Sequence, residues 1–165
     1  LYLHWTAGYY GQAYSDYHIN IDKDGEVYLT CHELYQPKSH TFLRNKDGIG
    51  IALCCGVGAS FTGKNPQTID FGECPPTMMQ VEKMAQVIAI LADALELPIE
   101  FSAVATHAEV AIVDGYGPLS SDEQKRWDLW YLPGTPRNFD HRMGGVTLRR
   151  KAQWYKDLFD RRIAA

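Results

Sequence analysis

The chain has no C-x-x-C pair, and none of its four cysteines (Cys31, Cys54, Cys55 and Cys74) lies in its second half. That excludes a four-thiolate structural zinc site and a thioredoxin-like redox motif. No apolar run reaches the length a bilayer needs. The longest, Ile49 to Ala59, is short and broken by glycines, so no membrane span is expected. Apart from Arg149-Arg150-Lys151 there is no basic stripe or polybasic tail, and the formal charge is -4, which argues against nucleic acid as the main partner. H-E-x-x-H is missing, and with it the common zinc-protease helix. No internal repeat and no linker-like stretch divides the chain, so residues 1–165 are read as one domain with a single core, expected to act as a monomer. The start at Leu1 rather than Met is read as something upstream having been removed or left out.

What is present is the balance of a globular protein, with 45% hydrophobic and 22% charged residues. Tyrosines crowd GYYGQAYSDY near the N-terminus, a composition that suits polar ligands such as sugars or peptides as well as a core. For the cysteines two readings stand side by side. One is a single disulfide from Cys31 or Cys74 to the Cys54-Cys55 pair; the other is buried free thiols.

The segment LYLHW reads as a short strand. In YHINIDKDGEVYLT, Tyr17, Ile19 and Ile21 alternate with polar residues, Asp24-Gly25 marks a tight turn, and Val27 and Leu29 alternate on the return, which predicts a hairpin. IGIALCCGV is nearly continuous in apolar residues and suits a central strand buried on both faces. Residues 60 to 76 read as loop. TMMQVEKMAQVIAILADALEL reads as a helix with a Thr77/Gln80 capping box, an apolar face of Met84, Val87, Ile88, Leu91 and Leu95, and Pro98 as its stop. FSAVATH reads as a strand running into His107, 113 to 125 as a polar loop, and TLRRKAQWYKDLFDRR as a closing helix with Thr147 as N-cap. This order predicts an α/β fold, a single mixed sheet flanked by helices.

Six histidines are candidates for chemistry: His4, His18, His32, His40, His107 and His141. His107-Ala108-Glu109 is the H-x-E half of the zinc deaminase signature, but that site takes two thiolates from a downstream P-C-x-x-C, and no cysteine follows His107. A dispersed catalytic site remains, with three protein ligands and one open position. His4 and His107 each end a predicted strand, and strands that stop at one edge of a sheet bring such residues together. Asp128, in KRWDLW, is the first choice for the third ligand, with Arg126 two residues back on the same side of an extended segment. His18 is read as structural, and His32 and His141 have no evident partner.

In sequence order, LHWTA, DYHINIDKDGEVYLT, SHTFLRNKDGIGIAL, THAEVA and RWD resemble the zinc-dependent N-acetylmuramoyl-L-alanine amidases, the group of bacteriophage lytic amidases to which the peptidoglycan recognition proteins are related. The resemblance runs from His4 to Asp128. It implies that His4, His107 and Asp128 hold a zinc ion and that Tyr17 and Arg126 are catalytic, Arg126 standing where the family usually has lysine. It also implies that His40 lies at the rim of the substrate groove. The stretch from His107 to Asp128 is longer than in the family, which leaves Asp114 and Asp122 as alternative third ligands. No glutamate stands on the IGIAL strand, which points to the tyrosine-using branch. The activity implied is hydrolysis of the amide between N-acetylmuramic acid and L-alanine. The partner implied is peptidoglycan and the place of action the bacterial cell wall, reached from the periplasm, from outside or, for an endolysin, from the host cytoplasm. A recognition module that binds the same polymer without cutting it is the alternative.

Overall fold

The computed structural model describes residues 1–62, 65–123, 125–135 and 143–163. Five strands form one mixed sheet: β1 (Tyr2–Trp5), β2 (Ile19–Ile21), β3 (Val27–Leu29), β4 (Gly50–Leu53) and β5 (Ala105–Thr106). Their order across the sheet is β3-β2-β4-β1-β5, with only the β2–β3 hairpin antiparallel. Among the described residues there are three α-helices: α1 (Met78–Ala94), α2 (His107–Asp114) and α3 (Gly144–Ile163). The α/β class and the single mixed sheet expected from the element order are what the chain has. No helix among the described residues is long and apolar enough to cross a membrane.

Register separates two faces. Ile19, Ile51 and Leu3 stand side by side, as do Ile21, Leu53 and Trp5. All six belong to the core, together with Val81, Met84, Ala85 and Ile88 of α1 and Leu148 and Ala152 of α3. The residues between them, Asn20, Ala52 and His4, share the opposite face because successive strand side chains alternate. On the central strand that second face carries only Gly50 and Ala52. A Cβ at Gly50 would meet the ring of His40 at 2.6 Å, so glycine there makes room for an imidazole.

Helix α1 begins where the capping box places it. The Thr77 side chain accepts from the Gln80 N–H at 3.1 Å, and Gln80 Oε1 accepts from the Thr77 N–H at 2.9 Å. Gln80 is fully buried and its amide also donates to the carbonyls of Ile21 and Cys54, tying the helix start to two strands. Thr77→Ala should therefore cost about 1 kcal/mol, read as a lower urea midpoint with unchanged slope. Met84 fills the core as expected, but Met78 and Met79 are exposed, and the helix stops at Ala94, before Pro98, through Glu96 in a left-handed conformation.

The expected β2–β3 hairpin forms, and several other expectations are corrected. β3 is an exposed three-residue edge strand, last in the sheet order among the described residues. The FSAVATH strand shrinks to Ala105–Thr106, because Thr106 and Glu109 form a second capping box and His107 starts a helix instead of ending a strand. α2 in turn takes 113 and 114 from the expected loop. Thr147 lies inside α3, where its N–H donates to the Met143 carbonyl, and is not its N-cap. All four thiols are free: Cys54, Cys55 and Cys74 are buried and behave as small apolar residues.

Candidate metal centre

His4 sits on β1 and His107 directly follows β5, its parallel neighbour, with Leu3 opposite Thr106. Both therefore project at the carboxyl ends of adjacent parallel strands, where open α/β sheets place their ligand sites. The helix that begins at His107 is anchored firmly. The Glu109 carboxylate accepts from the Thr106 N–H at 2.9 Å and from both terminal nitrogens of Arg149 at 2.9 and 2.8 Å. Gly145 permits this close approach, since a Cβ there would lie 2.0 Å from Glu109 Oε2.

Asp128 arrives on a segment with no regular structure, held by burial. Leu129, Trp130, Tyr131 and Leu132, which follow it, are all within the core. Each such side chain contributes about 1.5–3 kcal/mol when removed from water. The Asp128 carbonyl also accepts from the Ala108 N–H at 3.3 Å, fastening the segment to the first turn of α2. Leu129 adopts a left-handed backbone conformation, φ 57°, at this bend.

The three side chains converge. His4 Nδ1 lies 3.0 Å and His107 Nδ1 3.2 Å from the Asp128 carboxylate. One donor atom from each falls within 4.8 Å of the others, and all three residues are buried. This group can hold a metal ion. Two imidazoles and one carboxylate are a donor set that suits zinc, with its three protein ligands and one open position. Of the alternative third ligands, Asp114 is bound in a two-pronged pair with Arg44 at 2.7 and 2.8 Å, which pulls its carboxyl below the usual range. Asp122 lines the neighbouring groove and is not part of the converging group.

Burial and neighbouring groups shift His4, His40 and Asp128. Burial drives His4 down to about 4, against the pull of the Asp128 hydrogen bond, and His40 down to about 3, helped by His4 beside it. For Asp128 burial acts the other way, but His107 and His4 outweigh it and hold the carboxyl well below the ordinary range. Neutral imidazoles and an ionised carboxylate are the forms that bind metal.

Tyr17 leans over this group. Its ring centroid is 5.1 Å from that of His4 and its hydroxyl donates to the Trp5 carbonyl at 3.3 Å. Burial, and then the charge of Asp128, raise the phenol well above its usual value, with Arg126 pulling partly the other way. Arg126 lies on the open side. It lines two cavities, of about 410 and 340 Å³, that also share Ser39, His40 and His107 and so form one groove across the converging group. Trp5, Tyr17 and Trp127 wall one arm, and Phe42, Asn45 and Tyr116 the other.

His40 borders the groove but is nearly buried, and both of its nitrogens are engaged. Nδ1 lies 2.8 Å from Thr41 Oγ1 and Nε2 lies 3.1 Å from the Gly48 carbonyl. His18 is structural as expected: its Nδ1 accepts from the Gly50 N–H and its Nε2 donates to the Gln36 carbonyl. His32 joins no metal-binding group among the described residues, and His141 lies outside them. Glu109, read in the sequence only as part of H-x-E, is the capping residue that aims His107. The T-x-x-E spacing was the signal for it. Thr41, 3.1 Å from His4 Nε2, carried no sequence signal beyond its place in S-H-T.

Compared with protein-family models, with curated proteins and with solved structures, the chain matches none.

Proposed function

We propose that the chain is a zinc-dependent N-acetylmuramoyl-L-alanine amidase that hydrolyses the amide between the lactyl group of N-acetylmuramic acid and L-alanine in peptidoglycan. The observation that carries the reading is the convergence of His4, His107 and Asp128 within 4.8 Å, with His107 and Asp128 lining an open groove and His4 buried behind them. The motif order from His4 to Asp128 and the presence of Tyr17 beside His4 support it.

An amide resists water because its carbonyl is weakly electrophilic and its amine leaves poorly. A zinc ion held by His4, His107 and Asp128 supplies a Lewis acid for the carbonyl and an acidified water. The rest falls to side chains of the groove. Tyr17, kept as a neutral phenol, orients the attacking water once its hydroxyl turns from the Trp5 carbonyl; it is not a base at neutral pH. Arg126, always charged, stabilises the negative oxygen that develops as the carbonyl becomes tetrahedral. The carbon–nitrogen bond then breaks, leaving a lactyl carboxylate and the free amine of alanine. The groove continues on both sides of the converging group, as a substrate with glycan on one side of the bond and peptide on the other requires. His40, with both nitrogens occupied, shapes the groove wall and is not a donor to substrate in this reading.

The test is zinc content together with mass analysis of a peptidoglycan digest, before and after chelation. One zinc per chain is expected, with new alanine amino termini that disappear on chelation and return with added zinc. Zinc without cleavage would replace this reading by a non-catalytic recognition module for the same polymer.

A further inference from the structure

Beside His4 a chain of polar contacts runs into the wall of the groove. His4 Nε2 is 3.1 Å from Thr41 Oγ1, Thr41 Oγ1 is 2.8 Å from His40 Nδ1, and His40 Nε2 is 3.1 Å from the Gly48 carbonyl. His4, Thr41 and His40 are all buried, so each polar atom must find its partner within the protein.

The direction of every proton in this chain follows from its far end. A carbonyl only accepts, so His40 Nε2 carries the hydrogen and donates to Gly48. Neutral His40 then has a bare Nδ1, which accepts the Thr41 hydroxyl proton. With that proton committed, Thr41 Oγ1 can only accept from His4, whose Nε2 carries the hydrogen. His4 Nδ1, 3.0 Å from the Asp128 carboxylate, is then the nitrogen left to a metal ion, whose charge would take the place of the proton that otherwise joins this pair. The opposite orientation would set the bare Nε2 of His40 against the Gly48 oxygen, lone pair to lone pair.

The surroundings hold these groups in place. Asn45 Oδ1 accepts from the backbone N–H groups of His40 and Thr41, at 3.0 and 2.7 Å. The ring of His40 packs on Gly50, where no Cβ would fit.

We propose that Thr41, oriented by His40, is the positioning residue of the metal centre: its hydroxyl fixes His4 as the Nε2–H tautomer and so presents Nδ1 as the ligand atom. This rests on the zinc-site part of the function proposed above. A histidine ligand is commonly set by the hydrogen bond its other nitrogen makes, and loss of such a partner costs about 10–100-fold in metal affinity.

The experiment is zinc titration of the chelated protein against a competing chromophoric chelator, for wild type, Thr41→Val and Thr41→Ser, with nitrogen NMR of the histidine rings after zinc loading. Thr41→Val keeps the shape and removes the hydroxyl; it should bind zinc about 10–100-fold more weakly. Thr41→Ser keeps the hydroxyl and should bind as wild type does. Zinc-loaded wild type should show His4 bound through Nδ1 with a slowly exchanging Nε2 proton, and Thr41→Val should lose that protection. Equal zinc affinity in wild type and Thr41→Val would overturn the proposal, as would serine failing to rescue or His4 bound through Nε2. Wild type that binds no zinc would overturn it together with the zinc site. Wild type that binds zinc but leaves peptidoglycan uncut would sink the amidase reading alone, since no affinity or NMR readout depends on cleavage.

Discussion

Tyr17→Phe is expected to lower turnover on peptidoglycan by about a hundred- to a thousandfold, the loss that follows removal of one well-placed donor at a reacting centre. Zinc content should stay at the wild-type level, because Tyr17 packs beside His4 and is not one of the converging ligands. Fold stability should change little. The hydroxyl donates one long bond to the Trp5 carbonyl, at 3.3 Å, and such a bond is worth about 1 kcal/mol at most. Steady-state cleavage, metal analysis and a urea melt of the same preparation separate the cases. Wild-type cleavage by the variant would remove Tyr17 from the chemistry, and loss of zinc would make it a structural support for His4.

The second large effect concerns acid. In the chelated protein, stability should fall as pH drops from about 6.5 toward 4 and continue to fall below that. Burial holds His4 down to about 4 and His40 down to about 3, and lowers His18 as well, whereas in the unfolded chain a histidine titrates near 6.5. Across this window the unfolded chain takes up protons that the folded one refuses, so acid pulls the equilibrium toward unfolding. The stabilisation is complete above pH 6.5 and is lost as pH falls through the folded values. Asp128, held below its ordinary range, adds a loss of the same sign below pH 4. At about 1.4 kcal/mol per pH unit, His4 alone accounts for roughly 3 kcal/mol by pH 4, a large share of the ~5–15 kcal/mol a domain has. Urea midpoints at pH 7.5 and 5 read the fall, and ring-proton NMR should show His4 and His40 not titrating between pH 8 and 5. Ring signals that move near pH 6.5 would sink the prediction.

Much of this architecture was legible in local pattern. The apolar GIAL run, the DG turn and the Thr77/Gln80 box each act within a few residues, and each stands in the structure as read. Where reading failed, two local signals competed. Apolar FSAVATH suggests a strand, yet Thr106-x-x-Glu109 caps a helix, and the cap prevailed because Arg149, forty residues away, pairs with Glu109. The hairpin read from Val27 and Leu29 forms, but that β3 lies exposed at the sheet's edge is a property of the whole sheet, which local pattern does not carry.

The sequence by itself determined which residue types were on hand: two histidines next to short strands, a carboxylate in WDLWYL, and the order of the motifs. It put Asp128 first but left Asp114 and Asp122 open as alternatives. Only the tertiary structure decided that, by giving Asp114 to Arg44 and burying Leu129 to Leu132 so that Asp128 lies between His4 and His107. The reason is physical. Spacing along a chain governs contacts within a turn or a hairpin, whereas a group that joins residues 4, 107 and 128 depends on parallel strand pairing and on which side chains the core takes in.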